Sequence, residues 1–479
     1  MNKLYHNYID GKFYDSLNNN TFHSVNPYDP DEVVGEFINS NEPDIDYAVN
    51  SSVKAFKTWS KGLINQRVEI LRKSIQQIED NKTELAEIMT KEQGKPLQES
   101  LGEITKSIAE SRFMIGEGLR LNGQTSPNEK PNSTTKTIRV PIGPIVAITP
   151  WNFPVLTPLR KIVPALITGN TVVIKPSELT PLTGLKLIEL FHHEDFPEGI
   201  LNLVNGGKET GELLTNHDSI RAITFTGSTN VGRQINKTAA DKMIRVQAEL
   251  GGKNPVVIWN YDNLKKAVQE TIGAAFACTG QRCTAISRII VPHSELKEIE
   301  ELLIDEINQV ELGNGLEPKT TMGPLISEEQ RNKVDGLVKL AQEEGAEVVV
   351  GGEKVLEKKG YFFTPTLLSN VTKDMNIAKE EVFGPVLCLQ AAESFDEAID
   401  IANDTKYGLS AVIYSDRLDV VGKFIDDIES GMVHVNQGTA PESHMPFGGV
   451  KESGIGQGSV GETTKDFYTD VKTVYIKYY

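Results

Sequence analysis

The residue types that could carry chemistry in this chain are a cysteine, a carboxylate and an amide. Cys283 lies in the stretch FACTGQRCTAISR (276–288), where small residues precede an apolar run that is typical of a strand. Such a turn can expose the sulfur, and Arg282 beside it favours the thiolate, which is the nucleophilic form of cysteine. Glu249 ends an apolar run and is followed by two glycines, and Asn152 stands in the proline-flanked sequence PWNFP. A thiol, a base and an amide donor together could attack a carbonyl carbon, hold the oxyanion and hydrolyse a thioester.

Each of these residues also has an ordinary structural interpretation. Most cysteines of intracellular proteins are small buried hydrophobes. Glu249 could be a solvent-exposed strand end, and Asn152 could be an amide that caps a turn.

Short apolar runs alternate with segments of helix length from Arg139 onward. Strands are predicted at residues 145–149, 171–174, 201–204, 222–226 and 255–259. Alternation of this kind predicts parallel βαβ units in a buried sheet. In place of a GxGxxG motif, GSTNVG (227–232) follows one predicted strand, where backbone N–H groups and a hydroxyl could bind a phosphate. Such a glycine turn is also common without any ligand.

Before this α/β region, residues 42–121 carry apolar side chains at helical intervals. Glu99, Glu103 and Lys106 are interpreted as the solvated face of one such helix. They receive no functional role.

Composition narrows the class of protein. A chain of 479 residues predicts two or three domains. Its 49 basic and 66 acidic residues give a net charge of −17, which argues against nucleic acid or an anionic membrane as the main partner. Three cysteines without metal-ligand spacing fit a reducing compartment and predict no metal site. The N-terminal stretch lacks the apolar core of a signal peptide, and no apolar run approaches a membrane span, so we expect a cytoplasmic enzyme.

Six blocks of sequence resemble the aldehyde dehydrogenase superfamily in their order and spacing. They are PWNFP (150–154), FTGSTNVG (225–232), ELGGKNP (249–255), GQRCTA (280–285), EVFGP (381–385) and PFGG (446–449). Each block is loose as a pattern, but six in this order are highly specific. The likeness extends from about Tyr8 to the C-terminus.

The resemblance implies an α/β fold class, with two Rossmann-like parallel-sheet domains and a small β arm for oligomerisation. Residues 1–122 and 142–251 would form the NAD-binding domain, and residues 252–450 the catalytic domain. Residues 123–141 and 451–479 would form the oligomerisation arm and a C-terminal tail that ends in an alternating strand. The expected partners are a small-molecule aldehyde and further copies of the chain, in a homodimer or homotetramer.

The resemblance also implies oxidation of an aldehyde to a carboxylate with NAD(P)+. Cys283 would attack the aldehyde carbon to form a thiohemiacetal, and the Asn152 side chain with the Cys283 N–H would hold the oxyanion. Glu249 would then activate the water that hydrolyses the thioester.

For the cofactor, Lys175 could bond the adenosine ribose hydroxyls. Glu178 lies where relatives place a carboxylate on the ribose 2′-OH, which favours NAD because a carboxylate repels a 2′-phosphate, although NADP stays possible. Glu381 and Phe383 match residues that hold the nicotinamide ribose and ring. Further cofactor contacts are expected from Thr149, Trp151, Ser177, Gly227, Ser228, Gly232 and Leu250.

For the substrate, related dicarboxylic semialdehyde dehydrogenases have an arginine at the position of Arg160. With Arg282 beside the nucleophile, and Ser443 or His444 from the loop before PFGG, an arginine fork would bind a carboxylate. Succinate semialdehyde or 2-oxoglutarate semialdehyde is the expected substrate. In the alternative, Arg160 makes a structural ion pair and Arg282 faces solvent.

Two departures from the family pattern bear on this expectation. Many members carry a second glutamate where this chain has SGIGQGS (453–459), so deacylation would depend on Glu249 alone. Ala277 replaces an arginine that is usual in succinate-semialdehyde enzymes. The alternatives are a non-phosphorylating glyceraldehyde-3-phosphate or lactaldehyde dehydrogenase, a CoA-acylating relative, against which Glu249 counts, and a catalytically silent binding protein.

Overall fold

Apolar, β-branched runs form the strands of this computed structural model, and the helices cover them. The structure describes residues 3–16 and 19–479. Residues 1, 2, 17 and 18 belong to the expected NAD-binding domain and lie outside the described residues. None of the helices within the described ranges is long and apolar enough to cross a membrane.

The elements up to residue 249 are, in chain order, β1 (Leu4–Tyr5), β2 (Asn7–Ile9), β3 (Lys12–Tyr14), β4 (Thr21–Asn26), β5 (Asp29–Ile38), α1 (Glu42–Trp59), α2 (Ile64–Asp80), α3 (Lys82–Gln93), α4 (Leu97–Glu117), a 3₁₀ turn (Gly118–Arg120), β6 (Thr125–Ser126), β7 (Ser133–Pro141), β8 (Pro144–Ile148), α5 (Leu156–Ile167), β9 (Thr171–Lys175), α6 (Pro181–Phe191), β10 (Leu201–Leu203), α7 (Lys208–Asn216), β11 (Ala222–Thr226), α8 (Thr229–Asp241) and β12 (Arg245–Glu249).

The elements that follow are β13 (Asn254–Ile258), α9 (Leu264–Phe276), a 3₁₀ turn (Ala277–Gly280), β14 (Ile286–Pro292), a 3₁₀ turn (His293–Glu295), α10 (Leu296–Ile307), α11 (Glu328–Glu343), β15 (Glu347–Val350), β16 (Thr366–Ser369), α12 (Asn376–Lys379), β17 (Val386–Ala392), α13 (Phe395–Asn403), β18 (Tyr407–Gly408), β19 (Ser410–Tyr414), α14 (Leu418–Asp427), β20 (Met432–Val435), β21 (Val450–Lys451), β22 (Gly454–Ile455), α15 (Thr464–Tyr468) and β23 (Thr469–Lys477).

The first sheet has the strand order β22-β12-β11-β8-β9-β10-β2-β3. Its strands from β12 to β10 are parallel. Along β8, Ile145 and Ala147 pack into the core on one face, and Val146 and Ile148 into the core on the other. Since successive side chains of a strand point to opposite faces, burial of both faces explains why the run is continuously apolar.

The second sheet has the order β15-β16-β17-β14-β13-β19-β20. All its neighbouring strands are parallel except the edge pair β15 and β16. Val256 and Ile258 lie in one core and Val257 in another, so this sheet is also buried on both faces. The predicted parallel βαβ units are confirmed in both sheets.

The expected C-terminal strand is β23, which pairs antiparallel with β7 along its whole length. With β6 it forms a three-stranded sheet. The C-terminal segment also supplies β22, which pairs with β12 in the first sheet. The domain boundaries themselves stay a prediction.

Helix α4 differs from its sequence interpretation. Glu103 has a fully buried side chain, and Glu99 and Lys106 line the main cavity. The prediction that these side chains form a solvated helix face is therefore wrong. The reason is that α4 packs against α5 and faces the loops at the ends of the sheets, so charged side chains at helical spacing are turned inward.

Candidate active site

The site lies where loops of the two sheets face each other. Loops that follow β8, β11 and β12 line it from the carboxyl edge of the first sheet, where open parallel sheets bind their ligands. The loop before β14 lines it from the amino edge of the second sheet. The cavity between them has a volume of about 560 Å³, and Cys283, Asn152 and Glu249 all line it. The structure thus brings together the three residues that the sequence assigned to catalysis.

Cys283 is held by its backbone, since its carbonyl accepts a hydrogen bond from Asn254 Nδ2 at 2.7 Å. Burial, followed by the negative charges of Glu249 and Glu381, raises the pKa of the Cys283 thiol to about 12. Arg282 opposes this shift only in part. The charges of Arg160 and Arg282 lower this pKa, so Arg282 acts in the predicted direction, but desolvation outweighs these cations. Nucleophilic attack requires a base that removes the thiol proton.

Asn152 follows β8 and is 5 % exposed. Its Nδ2 donates to the backbone carbonyl of Gln281, two residues before Cys283, at 2.8 Å. A side-chain amide carries two N–H donors. The observed bond uses one and leaves the second for an oxyanion near Cys283.

Glu249 ends β12 and is buried, so the solvent-exposed interpretation is wrong. Within the described residues, its Oε2 has no hydrogen-bond partner. Burial raises the pKa of this carboxyl, whereas the charges of Lys161 and Arg160 lower it. A raised pKa moves a carboxylate toward the range in which it can act as a general base.

Lys161 is a site residue that the sequence analysis missed. It is 1 % exposed, lines the cavity, and donates from Nζ to Thr224 Oγ1 at 3.0 Å. Burial lowers the pKa of its ammonium group, and the charge of Glu249 opposes this. The available signal was a lysine directly after Arg160 in a helix that is otherwise largely apolar.

The turn after β11 has the features of a phosphate cradle. Ser228 caps the N-terminus of α8, and its side chain accepts a backbone N–H of the first turn. A Cβ on Gly227 would lie 2.5 Å from the Phe225 ring, and one on Gly232 would lie 2.5 Å from the Leu250 side chain. A larger residue at either position would require the neighbouring side chain to shift. Exposed N–H groups at a helix N-terminus fit a pyrophosphate.

A second group of polar residues follows β8 and β9. Lys175 Nζ donates to the Gly206 carbonyl at 2.8 Å and lies 3.6 Å from Glu178. The Glu178 side chain is 48 % exposed, whereas Ser177 is buried. Thr149 Oγ1 is buried without a hydrogen-bond partner among the described residues. This donor and acceptor set fits the hydroxyl groups of a ribose.

The expected nicotinamide residues line the cavity that contains Cys283. Phe383 adopts a left-handed backbone with φ of 57°, and its ring meets Trp151 edge-on at 5.5 Å. Glu381 accepts the N–H of Gly252 at 2.9 Å. The cradle, the ribose residues and this group together fit a dinucleotide.

Arg160 lines the cavity, but its guanidinium is already paired. Nε and Nη2 bond the two carboxylate oxygens of Glu110 at 2.7 and 2.8 Å. The ring of Phe447 packs 4.3 Å from the guanidinium. The two Arg160 donors that were expected to bind the substrate carboxylate are therefore used by Glu110. The prediction that Arg160 binds the substrate in a bidentate manner is wrong.

Arg282 has more donor capacity left. Its Nη2 donates to the hydroxyls of Thr284 and Thr439. Its Nε is buried without a partner in the part of the chain that the structure describes. Arg282 thus faces the cavity rather than bulk solvent, and its guanidinium can receive an anion.

The loop before PFGG lines the cavity with residues other than those predicted from the sequence. Ala440 and Pro441 line the cavity, whereas Ser443 and His444 are not among the lining residues. His444 is exposed and packs near the Phe113 ring. Lys106, from α4, lines the same region and donates from Nζ to the Pro441 carbonyl. It is a further cation that the sequence analysis set aside.

Comparison with known proteins agrees with this geometry. A sequence model of the aldehyde dehydrogenase family matches residues 13–474. The alpha-ketoglutaric semialdehyde dehydrogenase of Bacillus subtilis (strain 168) is 39% identical over 478 residues, which cover 99% of this chain and 98% of that protein. Betaine aldehyde dehydrogenase of Staphylococcus aureus, solved with NAD+, has a TM-score of 0.95, 34% identity and coverage of 98% and 94% of the two chains. An NADP-dependent enzyme of E. coli has a TM-score of 0.95, 33% identity and coverage of 99% and 98%.

The fold, the dinucleotide cradle and these comparisons define an NAD(P)-dependent oxidoreductase. The chain belongs to the aldehyde dehydrogenase family. The family and fold class expected from the sequence are confirmed.

The proximity of Lys161 to Glu249 predicts a change in pH dependence. Lys161→Met removes a cation that lowers the pKa of Glu249, so that pKa rises further and a higher pH is needed to ionise the base. We expect the acidic limb of the kcat–pH profile to move to higher pH. Lys242→Met, at a partly buried lysine outside the cavity, is the control and should leave the profile in place. An unmoved profile in Lys161→Met would show that the two groups are not coupled in turnover.

Proposed function

We propose that this aldehyde dehydrogenase oxidises a semialdehyde that carries a carboxylate at its far end, with Cys283 as nucleophile, Asn152 as oxyanion donor and Glu249 as base. The observation that carries the proposal is the convergence of these three side chains on one cavity, which Arg282 and Lys106 also line.

The residues of the chain supply the following steps. Glu249 removes the thiol proton, because the pKa of Cys283 is raised by burial, and the sulfur then attacks the aldehyde carbon. The second N–H of Asn152 holds the oxyanion of the thiohemiacetal. NAD(P), when bound, supplies the acceptor for the hydride that leaves this carbon. The acyl group remains on Cys283 as a thioester. Glu249 passes the thiol proton to solvent, and the restored carboxylate then takes a proton from the water that attacks the thioester and returns it to the Cys283 sulfur as the carboxylate product leaves.

The charge of the cavity supports a carboxylated substrate. Among the described residues, the buried Nε of Arg282 has no hydrogen-bond partner, whereas the charge of Arg160 is balanced by Glu110. An anion at the far end of the aldehyde would complete the hydrogen bonding of Arg282. The Bacillus subtilis relative is named for alpha-ketoglutaric semialdehyde, and we propose this semialdehyde, with succinate semialdehyde next, as the substrate class.

The coenzyme preference follows from Glu178. Its half-exposed carboxylate lies beside Lys175, where an acidic group favours a ribose 2′-hydroxyl over a 2′-phosphate. We propose NAD as the preferred coenzyme.

We also propose a homodimer or homotetramer joined through the arm. Strand β23 exposes Val471 and Tyr475, at 60% and 79% of their surface. Large apolar side chains on an outer strand are favourable at an interface between copies.

The experiment that tests the catalytic roles compares two variants. Cys283→Ala should abolish turnover and leave NAD binding nearly unchanged, because only the covalent step is lost. Glu249→Gln should form less acyl-enzyme per unit time and hydrolyse it still more slowly, so that any NADH forms as a pre-steady-state burst before slow turnover. Rapid-mixing absorbance measures both. More than a few per cent activity in Cys283→Ala, or normal steady-state turnover in Glu249→Gln, would refute the assignments.

Arg282→Met tests the substrate class. Loss of one charge-assisted hydrogen bond should raise KM for 2-oxoglutarate semialdehyde about 10-fold and leave KM for a neutral alkanal unchanged, while the loss of a cation that lowers the pKa of Cys283 slows turnover of both aldehydes. Arg160→Met should lower activity on both aldehydes, because it removes the bidentate partner of the buried Glu110 and leaves only Lys106, at 3.9 Å, to balance that charge. Arg112→Met, at an exposed arginine of α4, is the charge-matched control. Equal losses on both aldehydes in Arg282→Met, or a preference of the wild type for glyceraldehyde 3-phosphate or lactaldehyde, would contradict the proposal.

Glu178→Thr tests the coenzyme preference. Removing the carboxylate should raise kcat/KM with NADP relative to NAD, because the repulsion of the 2′-phosphate is lost. Glu189→Thr, at an exposed site on α6, should leave the ratio unchanged. A wild type that already prefers NADP would exclude this role for Glu178.

A further inference from the structure

Behind the catalytic cavity lies a buried ion pair to which the proposed mechanism gives no role. Lys95 Nζ and Glu103 Oε2 are 2.7 Å apart, and the two side chains are 1% and 0% exposed. Lys95 stands in the turn between α3 and α4, and Glu103 in the second turn of α4. A buried ion pair is costly unless further hydrogen bonds satisfy both partners. The remaining contacts of the pair therefore show which segment of the chain it stabilises.

Those contacts all go to the segment that carries Asn152. Lys95 Nζ also donates to the Asn152 carbonyl at 2.6 Å and lies 4.3 Å from the centre of the Phe153 ring. Glu103 Oε1 accepts the backbone N–H groups of Val155 and Leu156 at 2.8 and 2.9 Å. One ion pair thus holds both ends of residues 152–156, and it caps the N-terminus of α5.

Glu99, one turn before Glu103 on α4, holds the other loop. Its Oε2 accepts the N–H of Cys278 at 2.7 Å. Cys278 and Thr279 both adopt left-handed backbone conformations, with φ of 55° and 58°. Such conformations cost free energy in residues other than glycine and persist only when surrounding contacts enforce them. Glu99 is one of these contacts, and the segment leads directly to Cys283.

We propose that Lys95, Glu99 and Glu103 form a positioning cluster that sets the distance between Cys283 and the Asn152 amide, and thereby the rate of thioester formation. The proposal rests on the roles given above to Cys283 and Asn152. α4 is one rigid element in contact with both loops, so it fixes their relative position. A displacement of about 1 Å at a reacting group can lower a rate about 100-fold.

The chain provides a matched control for this cluster. Glu92 is also a fully buried carboxylate, and it caps the N-terminus of α6 by accepting the N–H groups of Leu182 and Thr183. It therefore performs the same structural task as Glu103. Its hydrogen-bond partners belong to neither the loop of Asn152 nor the loop of Cys283.

The test compares Glu103→Gln with Glu92→Gln, each measured as rate per folded enzyme. Glu103→Gln should slow the single-turnover formation of NADH 10-fold or more, with KM for NAD unchanged. Glu92→Gln also weakens a buried helix cap, but it leaves no buried lysine without its partner among the described residues, so it should lower Tm by less and keep the rate within two-fold. An unchanged rate in Glu103→Gln, or an equal loss of rate in Glu92→Gln, would overturn the proposal.

A double-variant cycle shows whether the cluster acts through Asn152. In an Asn152→Ala background, Glu103→Gln should cost less than two-fold, because the amide that it positions is gone. A full multiplicative loss would overturn the proposal. Glu99→Met, which removes the acceptor of the Cys278 N–H, repeats the single-turnover measurement if Glu103→Gln does not fold, and it should show the same slowing. If Cys283→Ala were active, the proposed function would fail. An inactive Cys283→Ala with a fully active Glu103→Gln would overturn the positioning cluster alone.

Discussion

The hydrogen bond from Asn152 Nδ2 to the Gln281 carbonyl is the contact on which the site depends. It joins the loop after β8 to the loop before β14, and these strands belong to sheets that share no ladder. The relative position of the nucleophile and the amide donor is therefore set by side chains rather than by sheet register. The same two loops are also held by Lys95, in the turn before α4, and by Glu99 and Glu103 on α4.

Burial governs the electrostatics of the cavity. It raises the pKa of the Glu249 carboxyl and lowers that of the Lys161 ammonium. Both pKa values therefore move toward neutral pH, where a group can both accept and release a proton. The same burial raises the pKa of Cys283 and thereby favours the thiol over the thiolate. A protonated thiol becomes a nucleophile only when a base takes its proton. The Glu249 carboxylate lines the same cavity as the Cys283 thiol.

The two sheets contribute different residues to the site. The carboxyl edge of the first sheet presents the N-terminus of α8 and the residues after β8 and β9, which suit a dinucleotide. The amino edge of the second sheet presents Cys283. The cavity thus lies between two sheets whose faces are both covered.

By itself the sequence predicted the strands β8, β9, β10, β11 and β13, the turn around Ser228 and the family. Runs such as β8 are apolar because both faces are buried, and a capped glycine turn is a local conformation, so both leave short-range patterns. Only the tertiary structure decided that Arg160 is paired with Glu110, that Glu103 and Lys161 are buried, and that burial raises the pKa of the Cys283 thiol. The partners and burial of a charged side chain depend on segments far apart in the chain, and no local pattern of residues records them.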